Sequence, residues 1–66
     1  MTTAKLTLRT IADHTDIRVG DRIWVTWHLD SNTRFSVVAA DGSYCCRPHV
    51  ERGNATIERL ERWVPS

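Results

Sequence analysis

Lysine occurs once, at Lys5, and neither sign of charge is in excess: nine Lys and Arg stand against eight Asp and Glu, a formal net charge of +1. A chain so balanced has no long-range field to draw it to nucleic acid or anionic lipid. Every cation but Lys5 is Arg, which favours planar, bidentate or stacking contacts over those of a point charge. The same bias fits a G+C-rich coding genome, as in an accessory protein of a bacterial virus or its high-G+C host. Cysteine is scarce as well, with Cys45 and Cys46 adjacent. In an extended strand neighbours leave opposite faces, so a bridge between them would need a distorted peptide. This argues against a disulfide scaffold and for a reduced, cytoplasmic setting. Long apolar runs are missing: none approaches the roughly 20 residues of a membrane span, and the amino-terminal stretch lacks the apolar centre of a signal peptide.

Length is the other shortage. Sixty-six residues make a single domain over 1–66, with 1–3 frayed and 4–64 folded. A chain this short buries only roughly 60% of its unfolded surface. No material is left for a deep cleft, so a non-enzymatic protein with no cofactor and no small-molecule substrate is expected. No repeat, linker or low-complexity tract breaks the chain.

What is present is alternation. After Gly20-Asp21, the residues Ile23, Val25 and Trp27 fall on one side and Arg22, Trp24, Thr26 and His28 on the other. This is the period-2 signature of a half-buried strand, filled with the β-branched and aromatic residues that a pleated surface prefers. Leu6 and Leu8 alternate with Lys5, Thr7 and Arg9 in a first strand. Residues 34–40 form a third, and Asp41-Gly42 predicts a two-residue hairpin into a fourth at 43–47. That turn would oppose Ala39 to Tyr44, Val37 to Cys46 and Phe35 to Pro48 on the core side, leaving Val38, Cys45 and Arg47 outward. A second turn at Gly53-Asn54 would oppose Val50 to Ile57. Ile57, Leu60 and Trp63 recur at helical spacing, predicting a short strand to about Glu58 and then a helical turn, stopped by Pro65. Trp27 and Trp63 are expected to fill the core, with Trp24 open to either side.

The expected fold is therefore all-β: a small five-stranded barrel with a short C-terminal helical turn. The stretch Val19-Gly20-Asp21-Arg22-Ile23-Trp24-Val25 resembles the first core strand of Tudor-like and KOW-like modules, in which a Gly-Asp turn feeds an alternating strand. The resemblance implies an SH3-like barrel and a habit of binding, and it carries no catalytic residue.

Cys45, Cys46 and His49 are the one cluster of metal-ligand types. A zinc site would need a fourth ligand from His28 or His14, and opposite-facing neighbours make poor co-ligands, so no metal is expected. Cys45 with His49 or His28 has no orienting group or oxyanion donor to complete a nucleophilic centre. The candidate binding residues are Arg22, Trp24, Thr26 and His28 in one row of the central strand, with Arg47 outward nearby. Trp and Arg are the usual anchors of protein interfaces, so a protein partner or a homodimer is the first expectation. Nucleic acid stacked on Trp24 is the alternative, opposed by eight carboxylates spread along the chain.

Overall fold

The computed structural model describes residues 5–65. The chain runs β1 (Leu6–Thr10), β2 (Arg22–Trp27), β3 (Thr33–Val37), α1 (Arg47–Glu51) and β4 (Ala55–Pro65). The four strands form one antiparallel sheet in the order β1-β4-β2-β3. The fold is thus mostly β, but the sheet is open and four-stranded where a five-stranded barrel was expected. The expected fraying of 1–3 lies outside the described residues.

Three local devices explain the differences. Residues 43–47 do not pair as a strand, because the Asp41 carboxylate accepts from both the amide and the hydroxyl of Ser43, at 2.9 and 2.6 Å. Such a side-chain turn competes with a ladder. Cys46 then takes a left-handed conformation (φ 70°) and leads into α1, whose first turn holds Pro48. Proline lacks the N–H a strand would donate and fits the start of a helix. Gly53-Asn54 is the end of that helix and not a hairpin turn. Gly53 (φ 81°) donates to the Val50 carbonyl at 3.1 Å and Asn54 to the His49 carbonyl at 2.8 Å. These two bonds satisfy carbonyls that the helix end leaves open, in the Schellman arrangement.

The third device is in β4. Trp24 pairs with Arg59 and Val25 with Ile57, so Glu58 has no opposite residue and forms a β-bulge. One extra residue shifts the pleat by one position. Inward residues therefore run Ala55, Ile57, then Leu60, and the three-residue step that reads as helical is two strand phases joined at the bulge. The expected helical turn is strand, and Trp63, expected inward, is half exposed on the opposite face from Leu60.

Ile23, Val25 and Leu60 are fully buried, with Val38 and Ala55 beside them, under a layer that contributes Ile11, Ile17, Tyr44, Cys46 and Val50. Phe35 and Val37 are exposed and Val38 is buried, the reverse of the hairpin expectation. The cause is register: Trp24 opposes Phe35 and Arg22 opposes Val37, which puts both apolar residues on the outward side of β2. Beyond β3 the chain turns inward, and the Val38 amide donates to the Asp21 carbonyl at 2.9 Å.

Candidate functional site

Residues directly opposite in an antiparallel sheet share a face, so the registers define the side away from the core. Leu8 opposes Trp63, Arg22 opposes Glu61 and Val37, Trp24 opposes Arg59 and Phe35, and Thr26 opposes Thr56 and Thr33. All four strands thus contribute to one uncovered face. Its apolar part is Leu6, Leu8, Trp63, Trp24, Phe35 and Val37; one end is polar, with the Thr26 and Thr33 hydroxyls 2.7 Å apart.

Trp24 is the centre of this face. Its ring lies 4.9 Å from that of Phe35, and the Arg22 and Arg59 guanidinium carbons stand 5.6 and 5.4 Å from its centroid. Arg22 also lies 5.0 Å from the Phe35 ring. Cations over ring faces are held by the ring quadrupole and leave their edges free to donate. Glu61, only 4% exposed, lies between the two arginines: it pairs with Arg59 and stands 3.7 Å from Arg22 Nε. The face therefore carries its own counterion, and one positive charge remains on it.

Of the sequence-derived binding residues, Arg22, Trp24 and Thr26 fall together on this face. His28 follows the end of β2, and its Nε2 is 2.5 Å from Thr56 Oγ1. Arg47 does not join them. It opens α1 in the layer over the opposite face, donating to the Gly42 carbonyl at 3.1 Å and to Glu51 at 2.9 Å. Leu6, Leu8, Phe35, Val37, Arg59, Glu61 and Trp63 were not anticipated there. The alternation of β1 and β3 marked these residues as two-faced, but which face turned outward depended on pairing partners far along the chain.

The core-facing side of the sheet and the layer over it hold the other polar groups. Arg34 stacks 4.7 Å above the Trp27 ring and binds Asp30 at 2.7 Å. His49 packs 4.2 Å from Trp27, beside a groove of about 510 Å³ lined also by His28, Leu29 and Asn54. Burial pushes the Tyr44 phenol up from its ordinary value. Among the described residues no three His, Cys, Asp or Glu side chains come together as a metal-binding group, so Cys45, Cys46 and His49 do not form a ligand set. No helix among them is long and apolar enough to cross a membrane. No family model matches the chain, nor does any curated protein or solved structure.

Proposed function

We propose that the protein is a non-enzymatic binding module that works through the open sheet face, and that a second copy of the chain is its partner. The observation that carries this reading is the pair of apolar groups on the side the core does not use: Trp24, Phe35 and Val37 on β2 and β3, and Leu6, Leu8 and Trp63 on β1 and β4, with Arg22, Arg59 and Glu61 between them. Leu6, Phe35, Val37 and Trp63 are each about half exposed. Large apolar side chains exposed together on one face and bordered by charge mark an interaction surface. Few side chains are fully buried in the present core, and packing two such faces as a sandwich would give each chain a second apolar layer. A two-fold pairing needs only one self-complementary patch, and Glu61 between Arg22 and Arg59 reduces the like charge that each copy brings to it to one. The likeness of residues 19–25 to Tudor-like and KOW-like modules is in keeping with a binding role.

Sedimentation equilibrium of the full chain tests this. The wild type is expected to dimerise with rising concentration, and Trp63→Glu and Phe35→Glu to remain monomeric with unchanged far-UV spectra. A wild type that stays monomeric at millimolar concentration overturns it.

A second reading rests on the stacking of Arg22 and Arg59 over Trp24. Successive aromatics between arginines suit single-stranded nucleic acid. In that case a single-stranded oligonucleotide binds with an affinity that falls steeply with salt, and Arg22→Ala reduces the salt slope.

A further inference from the structure

The adjacent cysteines are free thiols, and the fold places them otherwise than a strand would. Left-handed Cys46 (φ 70°) ends the extended chain at that residue. Instead of leaving opposite faces, the two Sγ atoms stand 3.2 Å apart. The turn is held from both sides: the Cys45 amide donates to Ser36 Oγ on β3 at 3.2 Å, and the Cys46 carbonyl accepts from the His49 and Val50 amides at 3.0 Å. A β-carbon-bearing residue at positive φ is unfavourable. The folded chain holds it there and so keeps the sulfurs in contact.

From this geometry we propose that Cys45 and Cys46 are a redox-active vicinal dithiol, which a low-molecular-weight disulfide converts to a bridge between the two neighbouring residues. One thiolate attacks the reagent's S–S bond, forming a mixed disulfide and expelling one reagent thiolate. The second cysteine loses its proton to solvent and displaces the other reagent thiolate. Two S–H bonds and the reagent's S–S bond are broken; one protein S–S bond and two reagent thiols are formed.

Access agrees with this chemistry. Cys45 is exposed, whereas Cys46 is half-buried against the core. Arg34 lies close enough for its positive charge to act on both sulfurs, as at other reactive cysteines. The contact with Cys46 and partial burial push the Cys45 thiol above its ordinary pKa, against the smaller pull of Arg34, so the exchange quickens as pH rises and the attacking thiolate forms. A bridge between neighbours closes almost no loop and adds little to unfolding stability. It is therefore a chemical switch on the turn that leads into α1.

The full chain is treated with excess oxidised glutathione, then denatured and alkylated with iodoacetamide, and its intact mass is read. The wild type is expected to be lighter by two hydrogens, with neither glutathione nor alkyl groups. Cys45→Ser and Cys46→Ser each retain one glutathione, and the mixed disulfide in the wild type falls at least about tenfold below theirs, because its second thiol is already in contact. Carrying out the same reaction in guanidinium chloride should lower the bridged yield. Wild type that keeps glutathione, links into dimers through sulfur or remains alkylatable overturns the proposal. So does a bridged yield that denaturant leaves unchanged, since proximity would then owe nothing to the fold.

Discussion

Arg62 grips Asp21 with two parallel hydrogen bonds, Nε to Oδ1 at 2.9 Å and Nη2 to Oδ2 at 2.8 Å, and the Asp21 side chain is 1% exposed. The pair ties the turn before β2 to β4 across 41 residues of chain. Arg62 Nη2 also reaches the Asp16 carbonyl at 2.7 Å, and the Arg18 amide completes Asp21 at 2.9 Å. The connection from β1 to β2 contains no regular structure, so this buried pair, with Ile11 and Ile17, is what fastens it over the core.

Removing one member of such a pair leaves the other charged and buried. Arg62→Ala is expected to destabilise the fold by about 3 kcal/mol, read from urea unfolding. Exposed pairs set the contrast: Arg18→Ala, at the surface pair with Asp16, should cost less than about 1 kcal/mol.

The same pair predicts acid lability. Burial raises the Asp21 carboxyl, but the hydrogen bonds from Arg62 and from the Arg18 amide outweigh it, and the folded pKa lies below the ordinary 3.8. A lowered folded value means stability that is complete above the unfolded pKa and is lost as pH falls through the folded one. Urea midpoints should therefore hold down to about pH 4 and drop below it. In Arg62→Ala that drop should be shallower.

Gly53 tests the helix-end assignment. Its φ is 81°, and an added β-carbon would meet nothing within 4 Å, so Gly53→Ala introduces backbone strain without a clash. A loss of about 1 kcal/mol is expected, a fall of about 5 °C in the thermal midpoint of a domain this size.

The two faces of the sheet should respond differently to truncation. Leu60→Ala removes a fully buried side chain and should cost about 2–5 kcal/mol, enough to unfold a marginal domain. Phe35→Ser loses its contact with Trp24 and should cost about 1 kcal/mol in the monomer. If the open face pairs two copies, Phe35→Ser should abolish the dimer while the circular dichroism spectrum is retained.

Much of β2 was legible because its signal is local. Ile23 and Val25 alternate with Arg22, Trp24 and Thr26, and Gly20 marks the turn, so an extended strand with one buried row follows from residue order alone. The grouping of Arg22, Trp24 and Thr26 followed from the same alternation. The site was only half visible, because Phe35 and Arg59 reach Trp24 through pairing with β3 and β4, and Trp63 turns to the same face only through the bulge at Glu58. Asp41-Gly42 was read correctly as a turn, but the Asp41 contacts with Ser43 end the ladder there.

Residue order by itself determined that this is a small, mostly β chain with β2 at its heart and turns at Gly20 and Gly42. Tertiary structure alone decided which row of β3 faces outward, that β4 continues as a strand through a bulge at Glu58, that Gly53 closes a helix, and that two neighbouring sulfurs meet. The physical reason is that a period-2 pattern defines alternation but not phase. Phase is set by which strand lies opposite, and that partner is chosen by burial and hydrogen bonding between segments tens of residues apart.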